Sequence, residues 1–486
     1  MAVENRIVKV QKRNRALLRF DTARIVRAVL RAAQSVGGFR QDFLPGINSA
    51  LFDAWPADEQ MAEFVGDTVV VLLNANPRHL IANFPPTIEQ IQEAVLHALR
   101  SHGFQHTADA YACYRWGRHW LREGALSSEQ FIGNGVPATE VERQVIWNSK
   151  RGCENIEGMN QLVRAGRLGP VIAEALELYE RSIDDAATKL FKRLESNNPL
   201  KMIWITGPTC SGKTTTTVKL TERLQKHGLR FVMLNLDDYF WSLVEHPTDW
   251  INDRNYETPE ALDIQLLNQH LRDLLAGRTI TKPVFDFKEG RRVEGAELKL
   301  EPGEILLLDC LHGLYPPMTE SIEPSAQFRL YIDAQPGMYY GKPGSSRLVC
   351  SSDMRLMRRM LRDARHRNHS PLRTILHWHY VRSGELYSIL PLRGLADHVI
   401  NTGFGFELPV LKACFALETG CLPRPQDFAP YAGFLDAKVR YSRICELLEA
   451  VEPVSAQSLS NYDLVPGDAV VREFIGGGTV RIPHNN

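Results

Sequence analysis

Neither sign of charge dominates this 486-residue chain: Lys+Arg and Asp+Glu each total 57. The overall balance therefore gives no pull toward nucleic acid or an anionic membrane surface. No apolar run approaches the ~20 residues needed to span a bilayer. The eight cysteines are scattered, with no C-x-x-C pair, so neither a disulfide framework nor a zinc site is indicated. Met1-Ala-Val-Glu-Asn-Arg6 has no signal-peptide core, and a cytoplasmic location is expected. What remains is an ordinary composition, 44% apolar and 23% charged, at a length suited to about three domains.

Against that background one stretch stands out. Gly207-Pro-Thr-Cys-Ser-Gly212-Lys213-Thr214 fits G-x-x-x-x-G-K-[ST]. The apolar run 202–206 before it reads as a buried strand. A helical pattern follows, with Val218, Leu220 and Leu224 on one side and Gly228 as its stop. Strand, glycine loop and helix in that order form a phosphate-binding site: backbone N–H groups converge on phosphate oxygens, and the helix N-terminus adds partial positive charge. The expected nucleotide contacts are Gly207, Thr209, Cys210, Ser211, Gly212, Lys213, Thr214 and Thr215. Lys213 reaches the β/γ-phosphates and the Thr214 hydroxyl ligates Mg²⁺, so ATP and Mg²⁺ are the expected cofactors.

Phe231-Val-Met-Leu-Asn-Leu236 reads as a second parallel strand that delivers Asp237-Asp238 at its carboxyl end, where open α/β sheets bind ligands. A carboxylate there accepts a proton from an attacking hydroxyl and helps hold Mg²⁺; the plainer alternative is that Asp237 caps the next helix. Ile305-Leu-Leu-Leu-Asp309 is a further apolar run ending in an acid, the Walker-B arrangement. Arg355, Arg358, Arg359, Arg362, Arg365, Arg367 and Arg373 fall within nineteen residues, largely on a helical pattern. Beside a phosphate loop they suit a mobile lid that neutralises charge during transfer. A nucleic-acid surface is the weaker reading, given the neutral net charge.

Local charge departs from the average at the start of the chain. Residues 1–40 carry ten Lys/Arg and two acids, Glu4 and Asp21. Two short strands around Lys12-Arg13-Asn14-Arg15 precede a helix capped by Asp21 or Thr22, with Arg24, Arg27 and Arg31 at turn spacing. Helical patterns over 58–74, 87–102 and 107–122 complete a small domain. Residues 124–137, with three glycines and Pro137, read as a linker. Residues 138–196 read as helical spacer, ended by Asn197-Asn198-Pro199. Beyond 420, Pro423, Pro425 and Pro430 punctuate a loop before an amphipathic helix over 437–450. That end reads as packing, with a frayed tail at 483–486.

Taken as a series, these residues resemble the uridine kinase/phosphoribulokinase family of P-loop kinases, in its long bacterial nucleoside-kinase branch. The series is GPTCSGKTTTT at 207–217, LDDYF at 236–240, YETPEALD at 256–263, PVFDF at 283–287, LLLDCLHGL at 306–314, DMRLMRRMLRD at 353–363, W-x-x-V-R-x-G-E at 378–385 and REFIGG at 472–477. The resemblance implies ATP-dependent phosphorylation of a sugar-type hydroxyl. It makes Asp237 the general base, and Thr214, Asp237 and Asp309 the magnesium shell. Lys213, Arg359 and Arg362 stabilise the transferring group, and Glu257, Phe285 and Asp286 lie on the substrate side. Pyrimidine-ribonucleoside kinases use Asp where this chain has Glu257. They read the base with a Tyr and a His where this chain has Phe285 and, by simple offset, Gly290; the usual Glu-Gly is here Asp309-Cys310. The resemblance thus implies the reaction and leaves the acceptor open. A nucleoside is the first reading; a sugar phosphate or small acid, as in phosphoribulokinase or 2-phosphoglycerate kinase, is the second; a catalytically idle nucleotide sensor is the third.

Residues ~7–120 resemble the ATP-cone, a regulatory nucleotide-binding module. The match lies in Val10-Gln-Lys12-Arg13-Asn14, Phe20-Asp21, Ile25 and Ala108-Asp-Ala-Tyr111-Ala-Cys-Tyr114-Arg115, with Arg15 where that family usually has Gly. It implies a second ATP or dATP site contacted by Lys12, Arg13 and Arg24, control of the attached enzyme, and action through subunit association in a homo-oligomer. The expected architecture is α/β: a P-loop kinase with a parallel sheet flanked by helices, behind a small, mainly helical cone. The expected order is cone at 1–122, linker and spacer at 123–199, kinase at 200–420 and a C-terminal helical extension at 421–486. Expected partners are a small hydroxyl-bearing substrate and a regulatory nucleotide, with no membrane and no nucleic acid.

Overall fold

The computed structural model describes residues 3–44, 56–81, 84–195, 200–246, 248–249, 252–286, 289–341, 346–366, 369–417, 422–460 and 463–481. The Asn197-Asn198-Pro199 stop, Phe287, Arg367 and the 483–486 tail lie outside the described residues.

The chain opens with an antiparallel hairpin, β1 (Lys9–Gln11) and β2 (Leu17–Arg19), with Val10 opposite Leu18. Its turn holds Arg15 at φ 65°, so an arginine occupies the left-handed position that favours glycine. Asp21 caps α1 (Thr22–Ser35), accepting from the Ala23 N–H at 3.0 Å. Helices α2 (Asp58–Asn74), α3 (Ile88–Ser101) and α4 (Gln105–Arg122) follow. Thr87 and Gln90 form a reciprocal capping box on α3. Ile25, Val29, Val65, Val69, Val95, Leu99 and Ala108 recur at helical spacing and close one core.

After turns over 124–137 come α5 (Ala138–Ser149), α6 (Ile156–Arg164) and α7 (Leu168–Leu194). Next are β3 (Met202–Thr206), α8 (Lys213–Lys226), β4 (Arg230–Asn235) and α9 (Ile264–Leu275). A hairpin, β5 (Ile280–Asp286) against β6 (Arg291–Leu298), precedes β7 (Glu304–Asp309) and β8 (Gln327–Asp333). A small antiparallel pair, β9 (Tyr339–Tyr340) and β10 (Arg347–Leu348), leads to α10 (Ser351–His366) and α11 (Pro371–Gly384). The chain then forms β11 (His398–Asn401), α12 (Glu407–Leu417), α13 (Leu435–Ala450), α14 (Ala456–Ser460) and α15 (Arg472–Ile475).

β11, β8, β3, β7 and β4 lie side by side in that order, all parallel. The expected α/β architecture is therefore present. Side chains alternate across the sheet. Ile203, Ile205 and Leu307 face a core shared with α7, α10, α12 and α13. Met202, Trp204, Leu306 and Leu308 face the opposite core, with Leu267 and Leu271 of α9. Both faces are covered, which is why these strands read as continuous apolar runs. The segment read as spacer contributes Met159, Ile172, Tyr179, Ile183 and Leu190 to the first core. On α8, Leu220 and Leu224 are buried, whereas Val218 is only half-buried. Tyr179 and Glu180 of α7 instead engage Thr216 and Lys219, turning those polar positions inward.

The two ends of the fold interlock. Trp120 of α4 is buried in the sheet's second core, and its Nε1 donates to the Tyr387 carbonyl at 3.1 Å. Leu386 reciprocates by completing the core of the N-terminal helices. Among the described residues no helix is long and apolar enough to cross a membrane.

Candidate active site

The phosphate loop joins β3 to α8. Gly207 sits at φ 144°, and a Cβ there would lie 2.2 Å from the Ile332 carbonyl oxygen, so only glycine fits under β8. Cys210 holds a left-handed φ of 56° without being glycine, a strained position of the kind found at ligand sites. Three successive loop carbonyls are anchored from outside. Arg355 donates to Thr209 at 3.1 Å, Arg358 to Cys210 at 3.0 Å and the Thr402 hydroxyl to Ser211 at 2.5 Å. The Ser211 hydroxyl is buried with no hydrogen-bond partner among the described residues. Lys213 folds back over the loop, its Nζ 2.9 Å from the Gly207 carbonyl and 3.1 Å from that of Pro208.

Strand register brings the acids to this loop. Asp309, at the end of β7, is level with Ile205 of β3 and Asn235 of β4. Asp237 follows two residues after Asn235. The Asn235 side chain, not Asp237, caps the next turn, accepting from the Asp237 N–H at 3.2 Å. Asp237 is exposed at the cleft, whereas Asp238 is buried, bound by Lys282 at 3.1 Å and by the Phe285 N–H at 3.2 Å. Asp309, Lys213 and Asp237 all act on the charge of Cys310; burial first, then the two acids, push that thiol well above its usual range. The expected Mg²⁺ set is Thr214, Asp237 and Asp309, all oxygen donors. It fits a cation that takes few protein oxygens and completes its shell with phosphate and water. Among the described residues no group of three His, Cys, Asp or Glu is placed to hold a metal by itself.

Across the cleft, Glu257 is buried and pairs with Arg359, Nη1 to Oε1 at 2.7 Å. Arg359 and Arg362 share Asp363 at 3.1 and 3.0 Å, and both lie within electrostatic reach of Cys210. His377 bridges Asp253 at 2.5 Å and Glu257 at 3.7 Å. Burial disfavours its charge, but the two carboxylates prevail and raise its pKa above the ordinary value. Burial would likewise raise Glu257, yet Arg359 and His377 hold it well below the usual carboxylate range. Phe285 is buried edge-on to Phe240, centroids 5.8 Å apart. Asp286 accepts from the Glu289 N–H at 3.1 Å and shapes the turn to Gly290. Gly290 is left-handed at φ 64°, and a Cβ there would lie 2.0 Å from Leu243 Cδ1. A histidine there would require the Leu243 side chain to move and a strained left-handed backbone.

Several residues here were not singled out by the sequence. His312, inside the 306–314 motif, is fully buried and its pKa is lowered to about 4, chiefly by burial. The Ser388 hydroxyl donates to the Gly384 carbonyl at 2.9 Å and lies 3.0 Å from His312 Nδ1. The network thus assigns the His312 proton to Nδ1 and a lone pair to Nε2. Nε2 has no partner among the described residues, and Lys213, Glu257 and Glu260 lie within electrostatic reach of the ring. A cavity of about 210 Å³ beside Glu257 is lined by Trp116, Asn255, Thr258, Ser383, Gly384 and Tyr387. Glu473 of α15 accepts from the Thr215 N–H at 3.2 Å and from its hydroxyl at 2.7 Å, in the first turn of α8. Its motif read as packing only, because the distance to Thr215 spans 258 residues.

The arginine cluster is not one lid surface. Arg355 and Arg358 are fully buried and paired with Glu385 and Glu407. Arg365 and Arg373 are exposed. Among the described arginines of the cluster, Arg359 and Arg362 lie within electrostatic reach of Cys210 without being fully buried, while α10 packs other faces against α12 and α15. The cone candidates are exposed: Arg13 pairs with Glu89 at 2.6 Å and lies near His119 and Arg122, whereas Arg24 pairs with Asp21 at 3.5 Å, and Lys12 sits at the hairpin turn.

The sequence profile of the Phosphoribulokinase / Uridine kinase family matches residues 202–340, and that of the ATP cone domain matches residues 8–119. A uridine kinase of Deinococcus deserti is 30% identical over 211 residues, 43% of this chain and 91% of that protein. A uridine kinase of Ligilactobacillus salivarius is 29% identical over 209 residues, 43% of this chain and 87% of that protein. Among solved structures, D-glycerate 3-kinase from Cryptococcus neoformans var. grubii aligns at 14% identity and a TM-score of 0.32, over 46% of this chain and 92% of that one. With a phosphate loop, two strand-end acids and a relative spanned almost end to end, the chain belongs to the Phosphoribulokinase / Uridine kinase family of kinases and carries an ATP cone domain before the kinase fold.

Proposed function

We propose that this chain transfers the γ-phosphoryl group of ATP to a hydroxyl of a nucleoside. The observation that carries the reading is the meeting of Lys213, Asp237 and Asp309 around Cys310, at the carboxyl ends of adjacent parallel strands. Asp237 takes the proton of the acceptor hydroxyl, whose oxygen bonds to the γ-phosphorus. The bond from that phosphorus to the β,γ-bridging oxygen breaks, and ADP leaves. Lys213, Arg359 and Arg362 stabilise the charge on the group in transit. Thr214, Asp237 and Asp309 would hold Mg²⁺, which when bound neutralises phosphate charge.

On the acceptor side, Glu257 and the His312 Nε2 lone pair both accept hydrogen bonds, which suits a neutral polyol such as ribose. Phe285 and Gly290 offer no polar side-chain group to a base edge, so discrimination between bases is expected to be broad. An anionic acceptor has less support, because Arg355 and Arg358 are consumed by internal ion pairs. The cone reads ATP or dATP through Lys12, Arg13 and Arg24 and adjusts the kinase rate in the cytoplasm.

The test is a phosphoryl-transfer screen with purified full-length protein, Mg-ATP and a panel of nucleosides, sugars and sugar phosphates, read as ADP released above the acceptor-free rate. Transfer to nucleosides is expected. Transfer to sugar phosphates alone would overturn the acceptor, and transfer to nothing would overturn the kinase reading. Deleting residues 1–122 is a poor test of regulation, since Trp120 and Leu386 exchange cores. A Lys12→Ala/Arg13→Ala variant should instead lose any dATP effect on rate while keeping the basal rate.

A further inference from the structure

A chain of alternating charges runs from the cone to the phosphate loop. It begins at Asp109 on α4, whose Oδ2 accepts from Arg382 Nη2 at 2.9 Å and Nε at 3.2 Å, while its Oδ1 accepts from Gln105 at 2.8 Å. Arg382, near the end of α11, turns Nη1 to Glu385 at 2.5 Å. Glu385 opens a π-helical turn, Glu385–Ile389, and grips Arg355 with both carboxylate oxygens, one of them 3.0 Å from Nη2. Arg355 Nη1 then donates to the Thr209 carbonyl of the phosphate loop at 3.1 Å. Glu385 and Arg355 are each 1% exposed, and Arg382 is 11% exposed. In so dry a setting water does not replace a lost partner, so each charge depends on its neighbours. π-turns inside helical segments recur at functional sites.

We infer that Asp109 is a positioning residue of the kinase site: through Arg382 and Glu385 it sets how firmly Arg355 holds the Thr209 carbonyl, and so ties MgATP affinity to the state of the cone. Without the Asp109 charge, Arg382 has Glu385 as its remaining counter-ion. The Glu385 carboxylate then shifts toward Arg382, and Arg355 loses part of its own counter-charge and its grip on the loop. A cone rearrangement that moves α4 acts on the same lever. The inference rests on the reading of 207–214 as the kinase's ATP site.

The experiment is an equilibrium titration of full-length protein with a fluorescent ATP analogue and Mg²⁺. The part of the signal lost in Lys213→Ala belongs to the kinase site. Asp109→Asn should weaken that part by about fivefold or more, the lower range of measured site-to-site couplings. Asp109→Glu should restore it to near wild type, and Asp67→Asn, an exposed cone carboxylate, should leave it unchanged. Arg355→Lys should weaken it too, and Asp109→Asn should add little on top of Arg355→Lys, because both act on one lever. If Asp109→Asn lowers the melting temperature, that non-additivity, measured where all variants are folded, decides. Wild-type affinity in Asp109→Asn, or losses that multiply in the double variant, would overturn the relay alone. A wild-type protein without any Lys213-dependent signal would overturn the kinase-site reading, and the relay with it.

Discussion

Arg359 Nη1 lies 2.7 Å from Glu257 Oε1, joining the helix beside the phosphate loop to the segment that follows Asn255. In the proposed reaction this one carboxylate has two tasks: it orients an arginine that stabilises the transferring group, and it offers an acceptor to the substrate. Glu257→Gln keeps the shape and removes the charge. It should raise the acceptor KM by about tenfold or more, since a site built to bind hydroxyls loses its ionised partner. It should also lower kcat by freeing Arg359, while ATP binding stays near wild type. Steady-state kinetics with the acceptor found by the screen check this, and an unchanged acceptor KM would remove Glu257 from the substrate side.

Asp237 is exposed at the cleft while its neighbour Asp238 is tied into the β5 connection. Asp237→Asn should cut kcat by about 10²–10⁴, the usual contribution of a positioned general base, with nucleotide affinity largely kept. Asp238→Asn should instead lower the melting temperature, because Lys282 and the Phe285 N–H lose an ionised partner. Equal turnover in Asp237→Asn and wild type would remove it as the base.

Glu473 occupies donors in the first turn of α8, where N–H groups of a phosphate-loop helix ordinarily meet phosphate. In the proposed ATP site its carboxylate would compete with the nucleotide for the Thr215 N–H and repel phosphate charge. Glu473→Gln should tighten MgATP binding at the Lys213-dependent site by about threefold to tenfold, the effect of removing one like charge at an effective dielectric of about 20. Weaker binding in this variant would show that Glu473 supports the loop rather than competing for it.

Stability should depend on pH through His106, which lies between Asp42 at 3.1 Å, Cys350 and Arg443. Burial and Arg443 disfavour its charge, but hydrogen bonds to Asp42 and Cys350, with the Asp42 charge, raise its pKa from 6.5 to about 9. A raised folded-state pKa means that the folded protein holds a proton the unfolded chain releases. The stabilisation is full below pH 6.5, declines as pH rises toward about 9 and is gone above it. Melting temperature should therefore fall over that window in the wild type. In Asp42→Asn it should start lower and change less with pH. A wild-type slope no steeper than that of Asp42→Asn would sink this assignment.

Much of this site was legible because its signals are local. The 207–214 loop carries its own glycines, and the apolar runs ending at Ile205 and Asp309 are runs because both faces of the sheet are covered there. Capping by Asp21 was readable for the same reason, since the cap acts within two residues. Arg355 and Arg359 illustrate the opposite case. They stand one turn apart on α10 with the same chemistry, yet one is sealed against Glu385 and the other meets Glu257 across the cleft. Their chemistry and helical spacing alone do not distinguish them; the motif resemblance over 353–363 singles out Arg359 without showing what seals Arg355. Val218 was misread for a related reason, because the face that α8 buries is set by Tyr179 and Glu180 of another helix.

By itself the sequence determined the α/β class, the phosphate loop and the strand-end acids, which are written in spacing over a few residues or in hydrophobic periodicity, while the cone ahead of the kinase was legible as a resemblance of short motifs. Only the tertiary structure decided that His377 and His312 lie beside Glu257, that Glu473 reaches the first turn of α8, that Gly290 lies against the Leu243 side chain, and that Asp109 is wired to Thr209. The reason is physical. Ion pairs and buried hydrogen bonds depend on distance and dryness in the folded state, and the partners here lie up to 273 residues apart along the chain.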